Sequence, residues 1–454
     1  MKLWWTLATV ALPVILSAVI AFYVKLPWFC TGTCCIFETS CSAQTLQGTV
    51  DPAYKRVAAL YESLLTNGWD VGGFLFVAVN GNVVLDVYGG HADKERTHPI
   101  TKDSQTLMFS SGKVLETMAV AVAVDKGLLR LDDAISQHWP EFAAHGKDRE
   151  PTLETLQDNS KRDAFLANQK PFRPPGYVMY RALASALYTD AIIRRVDPAG
   201  RSLSDFVQQE IMDKIDDGKL ICPPIVFNDD TNLVPVQEAS MATILLGMVA
   251  QVFFPSAWRK LLGERHMLAM NPDEVQTLYN FITKNGDILG NTLSIPGIAN
   301  GGAASFNNET SFLSYPMMSA NCFSNAHSIG MAMDAFFYSG SNIVGPETLQ
   351  TFTAPLPTAY DNLLFANMTH TAGGFAIGSN ILLPYNDDNS NGSGTCVGWG
   401  GTGGSALQHC QVGNDDDRVT FAYIPVGLSP RLALERAVLL LEETLDTVQS
   451  INES

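Results

Sequence analysis

Strand-forming segments lie near both ends of this chain, and a long segment with helical patterning lies between them. Two β-rich runs at 73–79 and 82–88 flank Asn80-Gly81, a dipeptide typical of two-residue hairpin turns. β-rich runs return near the end of the chain, at 374–381, 397–410 and 419–426. This order predicts an α+β protein, in which an antiparallel sheet from N- and C-terminal segments is flanked by helices and lies beside a mainly helical second lobe.

Length and patterning together suggest how the chain divides. With 454 residues it can bury a large core. We expect one domain at 49–454. Its sheet-bearing lobe would comprise 49–109 and 311–454, and its helical lobe would comprise 110–310. A cleft between the two lobes is the expected place for a functional site.

The N-terminal segment is a candidate membrane anchor. An apolar run extends from Leu3 to Val24 and ends at Lys25, close to the ~20 residues that a membrane-spanning helix needs. We expect residues 1–25 to be an uncleaved signal anchor, with a cleaved signal peptide as the alternative. Either one carries the following chain across a membrane. The sequence therefore predicts a single-pass membrane protein with its folded domain on the lumenal or extracellular side, or a secreted protein.

Eight cysteines favour an oxidising compartment. Four lie in a predicted Cys-rich stalk at 26–48, and four are spread through the body of the chain. They are Cys30, Cys34, Cys35 and Cys41, followed by Cys222, Cys322, Cys396 and Cys410. Their even number suggests disulfides, whose pairing the sequence leaves open. Zinc binding by the stalk cluster is the alternative, although no histidine follows it at ligand spacing.

The net charge and the glycosylation motifs bear on the partners and the cellular compartment of the protein. The net charge is −17 at pH 7, and such an acidic chain repels phosphate backbones. We therefore expect no nucleic-acid partner. Asn-x-Ser/Thr tripeptides make Asn308, Asn367 and Asn391 candidate N-glycosylation sites. Glycosylation at these positions agrees with a lumenal or extracellular domain.

One serine in the chain is followed by lysine three residues later, in Ser110-Ser111-Gly112-Lys113. Residues i and i+3 share a helix face, so the two side chains can meet. A lysine that is buried or near other cations can deprotonate a serine hydroxyl and make it a nucleophile. The helix that follows is apolar nearly all round until Lys126-Gly127, which predicts a buried central helix. A serine N-cap followed by a surface lysine is the alternative interpretation of the motif alone.

Longer motifs give this tetrapeptide a family context. Phe-Ser-Ser-Gly-Lys at 109–113, with Val-Asp-Lys-Gly-Leu at 124–128 and His-Trp-Pro-Glu-Phe at 138–142, resembles the β-lactamase-related serine hydrolases. The segment at 87–93 matches their pattern upstream. Within this superfamily, which includes the penicillin-binding proteins, the chain is most similar to family VIII carboxylesterases and to animal β-lactamase-domain-containing proteins. The resemblance runs from Gly48 to the final helix.

The resemblance implies a tyrosine on a loop of the helical lobe. Tyr180, which follows Pro174-Pro175-Gly176 by four residues, stands at that motif position. It would share protons with Ser110 and help to protonate the leaving group. The asparagine that often follows two residues later is replaced by Ala182.

The resemblance also implies a strand beside the nucleophile. Trp399-Gly400-Gly401-Thr402 matches that strand in its Trp-Gly-Gly form. The N–H of Thr402 would join the N–H of Ser110 in an oxyanion hole. Trp399 lacks the cation with which β-lactamases hold a substrate carboxylate, which favours other substrates over penicillin-like acids.

These motifs predict a serine hydrolase that needs no metal or organic cofactor. It would cleave a small-molecule ester, amide or short peptide through an acyl-enzyme on Ser110, and would be esterase-like more than β-lactamase-like. Two alternatives stay open, a catalytically silent binding or scaffold protein and a peptidase on small peptides. The missing asparagine supports the first alternative, as does the segment at 153–160, which departs from the family's His-x-x-Gly-Leu pattern.

Overall fold

A computed structural model describes most of the predicted domain. The described residues are 29, 45–143, 159–168, 178–181, 184–225, 232–238, 313–338, 343–362, 364, 366–378, 395–412, 417–428 and 435–453. The strands β1 to β14 are Gln47–Val50, Gly72–Val79, Asn82–Gly90, Gln105–Leu107, Leu233–Val234, Gln237–Glu238, Phe323–Ser324, Ala359–Asp361, Ala366–His370, Ala376–Ile377, Cys396–Gly400, Ala406–Val412, Asp417–Pro425 and Gly427–Leu428. The helices α1 to α9 are Lys55–Thr66, Lys113–Asp125, Ile135–His138, Asn159–Ala167, Ser185–Val196, Leu203–Glu210, Ala326–Phe337, Pro346–Thr353 and Glu435–Asn452.

The central sheet has nine strands in the order β1-β3-β2-β13-β12-β11-β10-β9-β8. Every neighbouring pair in it is antiparallel. The N-terminal strands β1 to β3 and the C-terminal strands β8 to β13 meet where β2 pairs with β13. The predicted α+β class is therefore confirmed, including a sheet assembled from both ends of the chain.

The turn between β2 and β3 is the hairpin turn that the sequence predicts. Asn80 and Gly81 have φ values of 51° and 78°, the positive values that a type I′ turn requires. Asn80 also ties this turn to β13. Its N–H donates to the carbonyl of Arg418 at 2.8 Å, and its Oδ1 accepts from the Arg418 N–H at 2.9 Å. The local signal and the long-range pairing of the sheet agree at this turn.

Alternation along β2 places its side chains in two different cores. Leu75 and Val77 pack in the core that includes α1 and α9, whereas Phe74 and Phe76 pack in the core that includes α7. Nearly every residue of β2 is buried, because helices cover both faces of the sheet. Helix α7 lies so close that a Cβ on Gly330 would stand 2.2 Å from the Phe76 ring.

Helix α2 runs through the centre of the helical lobe and contacts α5, α6 and α8. Most of its residues are buried, in agreement with the apolar pattern. Its last helical residue is Asp125, and Gly127 then adopts a φ of 68°. The Leu128 N–H donates to the carbonyl of Ala123 at 2.9 Å, which satisfies one of the final carbonyls of the helix. The predicted buried helix and its stop at Lys126-Gly127 are confirmed.

Three features of the sheet differ from expectation. The β-rich run at 397–410 is two strands, β11 and β12, because a turn at 401–405 interrupts it and contains Gly403 and Gly404 at φ values of 89° and 108°. The short strands β8 and β9 extend the sheet edge and carry no strand signal long enough to be predicted. Strand β1 begins at Gln47, within the segment predicted as a stalk, and pairs with β3 although most of its residues are exposed.

The four cysteines in the described part of the chain form two disulfides, which confirms the disulfide prediction for these four. Cys222 is bonded to Cys322 across 100 residues. Cys396 and Cys410 are bonded across 14 residues, and they lie directly opposite each other in β11 and β12. The first disulfide fastens the segment that leads into β7, and the second closes the hairpin that carries Trp399.

Some predictions fall outside the described residues. They are the anchor or signal peptide at 1–25, Cys30, Cys34, Cys35, Cys41, Ala182, Asn308 and Asn391. Asn367 is described and lies exposed on β9. Within the ranges that the structure describes, no helix combines the length and apolarity needed to cross a bilayer.

Candidate active site

The serine-lysine motif lies where β4 leads into α2. Ser110 occupies the 3₁₀ turn Phe109–Gly112, and Lys113 begins the helix. Gly112 permits this arrangement, because a Cβ there would stand 1.9 Å from the carbonyl oxygen of Met318. The phenylalanine before the serine has a φ of 50°, a left-handed conformation that bulky side chains rarely adopt. Such a conformation persists only where the surrounding contacts hold it in place.

Ser110, Lys113 and Tyr180 come together at this turn. The Tyr180 hydroxyl donates a hydrogen bond to Ser110 Oγ at 2.8 Å. Lys113 Nζ lies 3.5 Å from the same oxygen, and 5.0 Å from the centroid of the Tyr180 ring. A candidate base and a second proton-transfer group therefore both contact the candidate nucleophile, which is the arrangement that nucleophilic catalysis requires.

A loop before β7 supplies Lys113 with another acceptor that sequence reasoning missed. Lys113 Nζ lies 3.5 Å from the carbonyl oxygen of Ser319. Buried Asn321 shapes this loop, because its Nδ2 donates to the carbonyl of Tyr315 at 3.0 Å and its Oδ1 accepts from the Met317 N–H at 2.7 Å. The loop lies 206 residues from the lysine along the chain, so no local pattern could reveal the contact.

A buried carboxyl group lies one helical turn beyond the lysine. Glu116 is 6% exposed. Burial raises the pKa of its carboxyl, while the nearby positive charge of Lys113 opposes that rise. Burial therefore favours the neutral acid beside the candidate base. The i, i+3 spacing of Lys113 and Glu116 is a signal from which this neighbour could have been found.

The sheet edge holds the segment that carries Tyr180. Asn362 follows β8, and both its backbone N–H and its Nδ2 donate to the carbonyl of Val178, at 3.1 and 2.8 Å. These two hydrogen bonds fix the backbone two residues before the tyrosine. The edge strands absent from the sequence prediction thus place a predicted site residue of the other lobe.

An aromatic wall lies beside the tyrosine. Trp399 on β11 is 5% exposed, and its ring centroid lies 5.2 Å from that of Tyr180. The His370 ring lies nearly parallel to the Trp399 ring, with the two ring centroids 5.8 Å apart. Burial lowers the pKa of His370, while Asp361 opposes the shift. Burial therefore favours an uncharged imidazole, and the wall is aromatic rather than cationic.

The glycines after Trp399 allow the end of β11 to lie close to the 3₁₀ turn that carries Ser110. Gly400 is the last residue of the strand. A Cβ on Gly401 would stand 2.6 Å from the carbonyl oxygen of Met108 and 3.2 Å from the Ser111 nitrogen. Only a glycine fits this approach. Thr402 follows as an exposed residue, and the role of its N–H as an oxyanion donor stays a prediction.

The antiparallel sheet, the helical lobe and the cluster of serine, lysine and tyrosine define a protein of the serine β-lactamase-related superfamily. The sequence profile of the family described as Beta-lactamase matches residues 57–424, which is most of the chain. The chain belongs to this family.

Individual relatives agree with this assignment. Over 252 residues the chain is 25% identical to "Esterase/beta-lactamase LipL" of Mycobacterium tuberculosis. This match covers 49% of the present chain and 58% of that protein, so the chain spans less than two thirds of the relative's length. The solved structure of a penicillin-binding protein homologue from Caulobacter crescentus has a TM-score of 0.62 at 20% identity, covering 89% of this chain and 100% of that one. The structure of a family VIII carboxylesterase has a TM-score of 0.66 at 19% identity, with the same coverage of 89% and 100%. The two solved structures show a shared fold.

Proposed function

We propose that this protein is a serine hydrolase that cleaves an ester or amide bond through an acyl-enzyme on Ser110. The observation that carries the proposal is the convergence on one oxygen. Ser110 Oγ lies 2.8 Å from the Tyr180 hydroxyl and 3.5 Å from Lys113 Nζ. If the motif were only a serine N-cap followed by a surface lysine, nothing would bring a tyrosine from a distant loop into contact with the serine hydroxyl.

The chemistry follows from these positions. Lys113, assisted by Tyr180, accepts the proton of Ser110 as its oxygen attacks the substrate carbonyl carbon. The N–H groups of Ser110 and Thr402 stabilise the negative charge that develops on the carbonyl oxygen. The same proton then passes through Lys113 and Tyr180 to the leaving alkoxide or amine. Water attacks the acyl-enzyme, and its proton returns to Ser110 by the same route, so no metal or organic cofactor enters the cycle.

The wall beside the site favours an ester without a carboxylate. Trp399 packs against Tyr180 and His370, and the strand Cys396–Gly400 contains no lysine or arginine. Such a surface fits an apolar acyl or alkyl group better than an anionic one. The relatives include an esterase/β-lactamase and a family VIII carboxylesterase, which supports the same preference.

A substrate panel tests the proposal against its alternatives. We expect kcat/KM for p-nitrophenyl butyrate to exceed that for the β-lactam nitrocefin by at least about 10-fold, because Trp399 supplies no cation for the β-lactam carboxylate. Amides of D-amino acids and short peptides form the third arm. If peptides are turned over fastest, the protein is a peptidase rather than an esterase. If nitrocefin is turned over fastest, the expected preference against substrates with a carboxylate is wrong. Absence of turnover in every arm would favour the silent binding or scaffold protein.

We further propose that the folded domain works on the lumenal or extracellular side of a membrane. The apolar run from Leu3 to Val24, the two disulfides and the exposed Asn367 support this placement. We expect protein from secretory expression to lose mass on treatment with a peptide N-glycosidase. The Asn367→Gln variant should lose less mass than wild type in the same treatment. Asn67→Gln, at an exposed asparagine outside any sequon, is the matched control. A chain that carries no glycan and whose cysteines alkylate without prior reduction would contradict the placement.

A further inference from the structure

The turn between β11 and β12 has a conformation fixed by its own backbone. It spans 401–405, and it carries Thr402. The Gly401 N–H donates to the carbonyl of Ser405 at 2.8 Å, and the Gly404 N–H donates to the carbonyl of Gly401 at 3.1 Å. Gly403 and Gly404 have φ values of 89° and 108°, which other residues would adopt only under strain. The turn is therefore a compact unit that can be positioned as a whole.

The buried side chain of Ser405 joins this turn to the residues that flank the nucleophile. Ser405 is 2% exposed, and its hydroxyl donates to the carbonyl of Met108 at 2.8 Å. Ser405 Oγ also lies 2.9 Å from Ser111 Oγ. Because the one hydroxyl proton of Ser405 is used on the carbonyl, the Ser111 hydroxyl must donate to Ser405 Oγ. The residues on either side of Phe109 and Ser110 are thus both hydrogen-bonded to the same oxygen.

The opposite side of the turn is held by a buried ion pair. Arg436 on α9 is 1% exposed, and its Nη2 donates to the carbonyl of Gly403 at 2.9 Å. Its Nη1 lies 3.1 Å from Asp70 Oδ1, and Asp70 in turn accepts a hydrogen bond from Tyr423. A charge pair buried to this degree resists rearrangement, because separating the pair would leave an uncompensated charge in the core. The turn at 401–405 is therefore held by α9 through Arg436, and by Met108 and Ser111 beside the nucleophile through Ser405.

We propose that Ser405 is a positioning residue that sets the distance between the two oxyanion donors, the N–H groups of Ser110 and Thr402. The inference rests on the proposed hydrolase function. Oxyanion donors act over a narrow range of distances, about 2.7–3.1 Å, and their effect depends on being held there before the reaction. Ser405 touches neither substrate nor reacting atoms. It acts through Met108 and Ser111, which flank the nucleophile.

Ser405→Ala removes this bridge with a small change in volume. We expect its kcat for p-nitrophenyl butyrate to fall about 10- to 100-fold, somewhat less than the loss of a whole oxyanion donor. KM should stay within about twofold of wild type, because the donors bind the carbonyl oxygen of the ground state more weakly than the oxyanion of the transition state. The inhibition constant of phenylboronic acid, whose boron becomes tetrahedral on Ser110, should rise by the same factor by which kcat/KM falls. The pH profile should keep its shape, since the bridge moves no catalytic proton.

Ser328→Ala is the matched control, because Ser328 is also a buried serine with hydrogen bonds to backbone groups and lies on α7. It should keep kcat within about twofold of wild type. The variants Ser111→Ala and Ser111→Ala/Ser405→Ala complete a double-mutant cycle. If the bridge acts as a unit, the double variant should lose no more than Ser405→Ala alone.

Three results would overturn the inference. They are an unchanged kcat in Ser405→Ala, a loss confined to KM, and independent, multiplying losses in the cycle. Failure of the underlying function is recognised separately, because wild type would then show no turnover, or Ser110→Ala would retain the activity of wild type. An inactive Ser110→Ala together with a fully active Ser405→Ala would leave the hydrolase standing and remove only the role of Ser405.

Discussion

Ser110→Ala is expected to lower kcat/KM for p-nitrophenyl butyrate by about 10⁴- to 10⁶-fold, the range found when a catalytic serine is removed. The variant has no oxygen to attack the carbonyl, and both Tyr180 and Lys113 lose the atom on which they converge. Alanine fits the space of the serine, so the fold should be retained. Initial rates across a range of substrate concentrations, with circular dichroism to verify folding, measure the effect.

Ser328, a buried serine outside the proposed site, supplies the comparison for this variant. Ser328→Ala carries the same chemical change on α7 and should keep kcat/KM within about twofold of wild type. A Ser110→Ala protein that keeps more than about a tenth of the wild-type kcat/KM would rule out Ser110 as the nucleophile, since no reaction through an acyl-enzyme can proceed without it.

Tyr180→Phe is expected to lower kcat by about 10²- to 10⁴-fold, the usual contribution of a group that moves protons in the transition state. Phenylalanine keeps the ring beside Trp399 and under Lys113 Nζ, so the wall and the cation contact survive. Only the hydroxyl that donates to Ser110 Oγ at 2.8 Å is lost. KM should change little, because the ring rather than the hydroxyl lines the wall.

Tyr88→Phe is the control for loss of a tyrosine hydroxyl. Tyr88 donates to Gln47 at 3.1 Å on the edge of the sheet, away from the serine. Its phenylalanine variant should match wild type in kcat. If Tyr180→Phe lost less than about fivefold in kcat, Lys113 alone would manage the proton transfers and the role given to Tyr180 would be wrong.

Local signals in the sequence predicted those parts of the fold that depend on neighbouring residues. Asn80-Gly81 predicts the β2–β3 turn because both positions adopt positive φ, which this dipeptide tolerates. The apolar helix after Lys113 is buried as its pattern predicts, since an apolar surface on every side needs cover on every side. Ser110 and Lys113 were identified by their i, i+3 spacing and Tyr180 by family resemblance, and the structure brings the three side chains together.

Contacts between distant segments could not be predicted. Ser405 meets Ser111 across 294 residues, and Lys113 meets the carbonyl of Ser319 across 206. No sequence pattern identifies the hydrogen-bond partner of a serine hydroxyl or of a backbone carbonyl when that partner lies far along the chain. The break between β11 and β12 was missed for a related reason. Its glycines were assigned to the strand that the family resemblance implies, and the need for their positive φ values emerges only when β12 folds back on β11.

Labelling with a fluorophosphonate probe tests whether Ser110 is the activated nucleophile, because the probe bonds covalently to an activated serine and peptide mass spectrometry identifies the labelled residue. We expect one equivalent of probe on wild-type protein, located on the peptide that contains Ser110. We expect slower labelling of Tyr180→Phe and none of Ser110→Ala. Equal labelling of Ser110→Ala and wild type, or a probe found on another serine, would contradict the role of Ser110 as nucleophile.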